Sequence, residues 1–272
     1  MFNCKSSVVC ITAVLVLLFP ILNAHADDVD LNTWAAESYA AVGGFPQGLW
    51  QVSPDGSSVL QVNNGQPTFF YGDFNAFGTK VTGKFEVLSN WDDDIAGFAL
   101  GYQAGDNTNN SANYLLIDWK RITQPFDFTS NDPGGVAPEG LAVSLVSGIP
   151  SADEFWQHAT LASPGGGITE LARATTLGST GYLQNTVYEF SFDFGPNNLD
   201  VYVDDVLEFS ITGSFSNGRL AFYNFSQENV RYSAFTVDQG SFPGEVPEPA
   251  SLLLIGTGLG MLGLAAAWRR RK

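Results

Sequence analysis

The 272-residue sequence contains only two cysteines, Cys4 and Cys10, and both lie in its first apolar segment. The rest of the chain can therefore form neither a disulfide framework nor a cysteine metal site. Basic residues are also scarce, because 12 Lys and Arg stand against 28 Asp and Glu and give a net charge of −16. This charge excludes nucleic acid as a partner, since little positive charge is present to neutralise phosphates. It favours metal cations, neutral polymers or simple solubility.

The central part of the sequence lacks a long 3.6-residue hydrophobic period. It carries instead short runs rich in Phe, Tyr, Val and Leu, separated by Gly, Asn, Asp, Pro and Ser. The runs cover residues 84–88, 97–102, 114–119, 141–146, 188–194, 199–203, 207–211, 220–225 and 232–237. This spacing predicts an all-β protein, a single antiparallel β-sandwich or jelly roll.

Three local features qualify the strand pattern. Asp204-Asp205 separates two strand-like runs and predicts a two-residue hairpin loop. We expect a short helix over Leu31 to Ala41 and another turn or two over Thr169 to Thr176. The Gly- and Asn-rich segments are expected to be end loops of the sandwich, where binding sites usually lie; they cover residues 105–113, 131–140 and 164–167.

Residues 1–26 have the parts of a secretory signal peptide. Lys5 provides a basic start, Val8 to Leu22 an apolar stretch, and Ala24-His25-Ala26 a cleavage site with small residues at Ala24 and Ala26. We expect cleavage there, which leaves a mature chain that begins at Asp27. A retained membrane anchor is the alternative, although the apolar stretch is short for one.

Residues 246–272 form a second terminal signal. Pro247-Glu248-Pro249 precedes an apolar run from Leu252 to Trp268, and four basic residues, 269–272, follow it. A run of about 17 residues is at the lower limit for a transmembrane span, so an ordinary anchor is one interpretation. The order of parts resembles the PEP-CTERM sorting signal of Gram-negative bacteria. That resemblance implies an exosortase as processing partner and export past the inner membrane. The mature protein would then lie on the cell surface, the outer membrane or the extracellular matrix, and would contact a membrane only through this segment before processing.

The segment between the two signals, residues 27–245, has the length of one large β domain. It contains 27 acidic and 7 basic residues, a net charge of −20. Asp92-Asp93-Asp94 follows Trp91 and precedes a strand-like run. Calcium takes six to eight oxygen ligands, which adjacent carboxylates can supply. Asp92 and Asp94 could face together while Asp93 faces away; a solvated acidic loop is the alternative.

The stretch from Asp92 to Gln103 resembles the D-D-D-x-A-G-F-x-x-G-Y-Q motif of the thrombospondin C-terminal domain. Tyr114 to Lys120 resembles that family's next strand, and residues 218–220 and 225–229 resemble its closing G-R-L…F-S-Q-E-N block. The similarity spans most of residues 45 to 237. It implies an L-type lectin-like, concanavalin-like sandwich that binds calcium, with Asp92, Asp93 and Asp94 as the ligands carried over.

The second matching block leaves some roles open. Glu228 and Asn229 are either nearby ligands or strand caps, and structural packing is the favoured role for Gln227 to Asn229. The family cysteine is replaced by Asn224, so the resemblance brings no disulfide. The calcium repeats and EGF-like modules of animal thrombospondins are absent from this sequence, and their receptor partners are not transferred.

Catalytic alternatives find little support. A glycan hydrolase needs two carboxylates across the scissile bond. Glu189 with Asp193, and Asp200 with Asp204, lie four residues apart on strand-like runs. A Ser-His-acid triad would need His158, and zinc would need several carboxylates besides that histidine.

The tryptophans divide into core and candidate ligand-binding residues. Trp50 and Trp119 are expected in the core, whereas Trp91, beside the acidic run, is the best candidate for an exposed sugar platform. The sequence therefore predicts a non-catalytic, calcium-binding adhesion or carbohydrate-binding protein in an exopolysaccharide or biofilm context, attached to extracellular polysaccharide or to a surface protein. The alternatives are a concanavalin-like glycan hydrolase and a purely structural matrix protein.

Overall fold

A computed structural model describes residues 26–40, 42, 44–128, 134–161 and 166–238. The predicted signal peptide, apart from Ala26, and the whole predicted sorting segment lie outside these residues. Within the described ranges, no helix has the length and apolar character needed to cross a membrane.

The described chain is built almost entirely of strands. They are β1 (Asp27–Asp28), β2 (Ala35–Ser38), β3 (Trp50–Val52), β4 (Ser58–Gln61), β5 (Thr68–Tyr71), β6 (Thr79–Val87), β7 (Ile95–Tyr102), β8 (Asn113–Lys120), β9 (Gln124–Phe126), β10 (Gly135–Ala137), β11 (Gly140–Gly148), β12 (Gly166–Arg173), β13 (Val187–Phe194), β14 (Asn198–Val203), β15 (Val206–Thr212), β16 (Arg219–Phe225) and β17 (Val230–Asp238). One α-helix, α1 (Ala152–Gln157), and two 3-10 helices, Leu31–Thr33 and Asp106–Thr108, complete the described elements.

Two large antiparallel sheets form the molecule. The first has the order β15-β14-β13-β6-β17-β4-β3, with β1 added on β17, and the second has the order β12-β11-β8-β7-β16-β5-β2. Strands β9 and β10 form a separate small hairpin. The antiparallel β-sandwich predicted from the sequence is confirmed, and so is the hairpin loop at Asp204-Asp205, which joins β14 to β15.

Apolar side chains fill two separate layers. The inter-sheet core lies between the large sheets, where the rings of Phe222 and Tyr232 stack 4.4 Å apart. The outer core covers the opposite face of the seven-stranded sheet, where Phe155 and Trp156 of α1 pack on rings of β16. The central strands of the seven-stranded sheet are therefore buried on both faces, as the continuous burial of β7 shows, whereas the edge strands β2 and β12 remain partly exposed.

The helix predictions hold only for Leu31–Thr33, which form a short 3-10 helix capped by Asp30. Residues 35–38 of the same predicted helix form strand β2, because backbone pairing with β5 outweighs the local helix propensity, and Ala41 lies outside the described residues. Residues 169–173 belong to β12 for the same reason, since they pair with β11. The one α-helix, α1, was not predicted, although Ser151 and Glu154 form the capping box that marks its start.

Strand register brings several connections to one end of the sandwich. Ile95, at the start of β7, is level with Lys120 at the end of β8 and with Phe225 at the end of β16. Val87, at the end of β6, is level with Val230 at the start of β17. Because β13 starts beside the end of β6, the loop before it also reaches this end.

Candidate cation and ligand site

Two of the three carboxylates in the Asp92–Asp94 run turn inward at this end of the sandwich. Asp92 is 5% exposed and Asp94 is 6% exposed, and the charge of Asp94 acts on Asp92. The side chain of Asp93 is 29% exposed. Extended backbone directs alternate side chains to opposite sides, which explains the division. The run therefore consists of an inward pair, Asp92 and Asp94, and a single outward acid.

The two carboxyl groups of the inward pair are difficult to ionise at the same time, because the pKa of each is raised. Burial and the charges of Asp94 and Glu228 raise the pKa of Asp92 to about 7, although a hydrogen bond from the Glu228 N–H opposes the shift. Burial also raises the pKa of Asp94, while the charge of Lys120 opposes that change. Positive charge placed between the two carboxylates would therefore be stabilising.

One such charge is already present in Lys120, whose side chain is 1% exposed. Its Nζ donates to Asp94 Oδ1 at 2.7 Å, to the Asp93 carbonyl at 2.9 Å and to Gln124 Oε1 at 2.8 Å. The ammonium also lies 4.6 Å from the centroid of the Trp156 ring. A single lysine beside two carboxylates leaves one negative charge uncompensated when both acids are ionised.

The buried polar side chains of Gln227 and Tyr182 also hold the acidic run in place. The Oε1 atom of Gln227 accepts the Asp94 N–H at 2.7 Å and the Tyr182 hydroxyl at 2.6 Å. The same hydroxyl is 3.0 Å from the Asp94 carbonyl oxygen. Gln227 therefore has a structural position, fixing the backbone of the run.

Glu228 and Asn229 connect the β16–β17 turn to the run. The Glu228 N–H donates to Asp92 Oδ2 at 2.7 Å, and its carboxylate accepts from Asn229 Nδ2 at 2.9 Å. Asn229 has a φ of 55°, and its carbonyl accepts the Leu88 N–H at 2.8 Å. Both residues thus shape the turn, and Glu228 contacts the inward pair through its backbone N–H.

Neutral oxygen atoms complete the surroundings of the inward pair. Asn64 donates through Nδ2 to Asp92 Oδ2 at 3.4 Å, Ser226 donates through Oγ to Asn64 Oδ1 at 3.3 Å, and the Ser226 hydroxyl lowers the pKa of Asp94. No three acidic, His or Cys side chains of the described ranges converge in a way that could hold a metal. The oxygen donors around the pair are thus two carboxylates and the Ser226 hydroxyl, a set that suits calcium completed by water better than zinc.

Trp91 projects into solvent directly beside this site, with 70% of its surface exposed. Trp119 is 1% exposed, and Trp50 is half-buried and stacks on Phe70 at 5.4 Å. The structure therefore distributes the tryptophans as the sequence predicted, two against the core and one on the surface next to the acids.

His158 has no free ring nitrogen. Its Nε2 is 3.0 Å from Asp118 Oδ2 and its Nδ1 is 3.2 Å from Glu170 Oε2, in a side chain that is 3% exposed. Burial opposes protonation, but the charges and hydrogen bonds of Asp118 and Glu170 outweigh it and raise the pKa of His158 to about 9. At neutral pH this histidine is an imidazolium and cannot act as a general base.

The acids that were considered as hydrolase pairs interact with residues of the adjacent strand. Asp193 of β13 is level with Asp200 of β14, and burial together with the charge of Asp200 raises the pKa of Asp193. Asp204 Oδ1 accepts the Glu189 N–H at 2.8 Å across the hairpin. The Asp204 side chain therefore links the β14–β15 turn to strand β13.

Comparison with known sequences identifies the domain. The sequence model of the thrombospondin C-terminal region matches residues 45–239. The chain belongs to this family. Thrombospondin-2 of Homo sapiens is 26% identical over 206 residues, covering 69% of this chain and 17% of that protein, and thrombospondin-3a of Danio rerio is 27% identical over 194 residues, covering 68% and 19%. The chain thus spans less than a fifth of these thrombospondins.

A second sequence model, the PEP-CTERM protein-sorting motif, matches residues 245–272. The predicted C-terminal sorting signal, with Pro247, Glu248 and Pro249 at its start, is confirmed. The protein is therefore one that carries a bacterial export and sorting signal behind a thrombospondin C-terminal domain.

Solved structures of low sequence identity share the sandwich. The carbohydrate-binding module CBM66 from Bacillus subtilis has a TM-score of 0.46 and 11% identity, covering 72% of this chain and 96% of that one. A family 16 glycoside hydrolase endo-glucanase from Bacteroides ovatus has a TM-score of 0.42 and 11% identity, covering 77% and 98%.

Proposed function

We propose that the protein is an exported, non-catalytic attachment module that binds extracellular polysaccharide in a calcium-dependent manner. The observation that carries the proposal is the position of exposed Trp91 directly beside the buried pair Asp92 and Asp94. Exposed apolar side chains on a soluble domain often mark an interaction site. An indole ring next to a cation site combines a flat apolar surface with polar coordination, which suits a polyhydroxylated ring.

Calcium is the proposed resident ion, held by Asp92 and Asp94. Asn64 and Ser226 provide neutral oxygens nearby, while Lys120 takes one oxygen of Asp94 from the opposite side. When bound, calcium supplies the positive charge that the pair lacks. The protein's own part is to keep the loop that bears Trp91 in a fixed position through the hydrogen bonds of Gln227 and Glu228.

Export completes the proposal. The sorting motif supports processing by an exosortase near Pro247-Glu248-Pro249 and a final location on the surface or in the matrix of a Gram-negative bacterium. A matrix of secreted polysaccharide, as in a biofilm, is the environment that an attachment module of this kind requires.

A structural matrix role without a specific ligand is the second candidate. The burial of both faces of the central strands of the seven-stranded sheet favours it, because α1 and its neighbours close a face that a polymer could otherwise occupy. A hydrolase is not favoured, because His158 has no free nitrogen and Asp204 is engaged in its hairpin.

Binding of the exported protein to neutral and acidic polysaccharides, in calcium and in EDTA, tests the proposal. We expect binding in calcium that EDTA removes and that Trp91→Ala abolishes, while Trp91→Phe retains part of it. Absence of binding in both buffers would leave the structural role. Chain cleavage of a polysaccharide would overturn the non-catalytic assignment.

A further inference from the structure

A second loop lies against the acidic run and exposes apolar surface of its own. Residues 182–186 lead into β13, and within this loop Leu183 is 64% exposed. Val187, the first residue of β13, is 51% exposed. Leu183 and Val187 lie four positions apart, and both side chains are open to solvent. The fold does not need them to anchor the loop, because Tyr182 already packs between the sheets.

Three hydrogen bonds and one hydroxyl–carbonyl contact fasten this loop to the segment that carries Trp91. The Gln184 Nε2 donates to the Asp92 carbonyl at 2.6 Å, and the Tyr182 hydroxyl, which donates to Gln227, lies 3.0 Å from the Asp94 carbonyl oxygen. Asn185 donates through its backbone N–H to the Val87 carbonyl at 2.8 Å and through Nδ2 to Asn90 Oδ1 at 2.6 Å. Trp91 thus lies between two residues that are both bonded to the loop, Asn90 and Asp92.

We propose that residues 182–186 form the second half of the ligand surface, in which Leu183 lies beside the ligand that stacks on Trp91 and Gln184 fixes the spacing of the two loops. This inference rests on the proposed function and adds to it the residues that determine the shape of the surface. The ligand class that the surface fits is a neutral polysaccharide, with the apolar face of a sugar ring over Trp91 and Leu183.

The composition of the two loops supports that ligand class. Asn90, Gln184 and Asn185 lie close to the exposed apolar residues in the chain and join the loops through one amide atom each. The other amide atoms, Asn90 Nδ2 and the side-chain oxygens of Gln184 and Asn185, suit sugar hydroxyl groups as donor and acceptors. The surroundings carry the acids of the run, within a segment of net charge −20. An anionic polymer or an anionic lipid surface would be repelled there, whereas a neutral polymer is not.

The test compares two exposed leucines. Leu183→Ser is the test variant, and Leu171→Ser is the matched control, because Leu171 is 43% exposed on the edge strand β12, outside both loops. Binding of the exported protein to soluble β-glucan, dextran, alginate and vesicles of phosphatidylglycerol is measured in calcium. We expect Leu183→Ser to weaken binding to a neutral glucan by about tenfold, as the loss of a buried leucine contact does. Leu171→Ser should bind as the wild type does.

A second variant separates the loop contact from the cation. Gln184→Ala should weaken glucan binding severalfold and leave any calcium-induced rise in melting temperature intact. If Trp91→Ala abolishes binding while Leu183→Ser and Gln184→Ala bind normally, the inference is overturned and the proposed function stands. If the wild type binds no polysaccharide in calcium, both fail. Binding to alginate without binding to a neutral glucan would overturn the ligand class and leave the proposed function standing, whereas binding to vesicles alone would overturn both.

Discussion

At the level of single residues, the buried ammonium of Lys120 depends on Asp94 far more than on Asp93. The Nζ to carboxylate distances are 2.7 Å for Asp94 and 3.6 Å for Asp93, and only the first contact is buried. Removing one partner of a buried ion pair costs about 3–5 kcal/mol, whereas exposed pairs contribute about 0–1 kcal/mol. We expect Asp94→Ala to lower the free energy of unfolding by about 3 kcal/mol or more in EDTA. Asp93→Ala is the control, and equal losses in urea titrations would contradict this assignment.

Asp92 should behave in the opposite way. It has no lysine partner, and its pKa of about 7 reflects burial and the nearby charges of Asp94 and Glu228. An asparagine in its place still accepts the Glu228 N–H and removes the repulsion. We therefore expect Asp92→Asn to unfold at the same or higher temperature than the wild type in EDTA, yet to lose the rise in melting temperature produced by calcium. A full calcium response in this variant would place the ion elsewhere.

The raised pKa of His158 predicts that the folded protein loses stability in alkaline solution. Its pKa is 6.5 in an unfolded chain and about 9 in the folded protein, so folding favours the protonated form. This contribution, roughly 3 kcal/mol at most, is complete below pH 6.5 and is lost as the pH rises to 9. Unfolding in urea between pH 7 and 9 measures it in an Asp92→Asn background, because the pKa of Asp92 is about 7 and its titration would otherwise overlap this interval. His158→Asn should be less stable at pH 7 and nearly independent of pH over this interval.

The site residues that could be predicted from the sequence are those that are adjacent to one another in the chain. Trp91 and Asp92 to Asp94 are neighbours in the chain, so composition and motif were enough to single them out. Lys120 reaches Asp94 only through the pairing of β7 with β8, and Tyr182 comes from a loop 88 residues away from Asp94. Partners that depend on strand register and loop path cannot be obtained from local sequence, and they are the residues that fix the site.

At the level of elements, the β14–β15 hairpin can be improved at its turn. Asp204 and Asp205 have φ values of 47° and 64°, a left-handed conformation that glycine adopts without cost. Asp205→Gly should therefore raise the free energy of unfolding by about 0.5–1 kcal/mol, while Asp205→Val should lower it. Thermal and urea unfolding of both variants measure the effect. A stabilising valine at this position would contradict the left-handed turn.

The elements that were mispredicted share one cause. Residues 35–38 and 169–173 have local sequences compatible with helix. Each forms a strand instead, because it hydrogen-bonds to a neighbouring strand, β5 in the first case and β11 in the second. The strand patterns of β7, β8 and β16 were predictable, because burial on both faces selects continuous apolar runs. Edge strands bury less surface, so their sequences are less constrained and harder to interpret.

At the level of the whole molecule, two separate electrostatic effects should stabilise the fold. The segment 27–245 has a net charge of −20, so its surface carboxylates repel one another at low ionic strength. Monovalent salt screens that repulsion over about 10 Å at 0.1 M, but it screens a buried pair such as Asp92 and Asp94 far less. Only an ion that enters the site acts on the pair.

The two effects can therefore be separated by one variant. We expect sodium chloride to raise the melting temperature of both the wild type and Asp92→Asn by similar amounts. Calcium at millimolar concentration, added in 0.15 M sodium chloride, should give the wild type a further rise of several degrees, because an ion that binds only the folded state stabilises it by RT ln(1 + [ion]/Kd). Asp92→Asn should show no further rise. Magnesium is the control cation, since it dehydrates reluctantly and prefers octahedral geometry. Equal shifts with magnesium and calcium in both proteins would mean that general screening, and no specific site, accounts for the stabilisation.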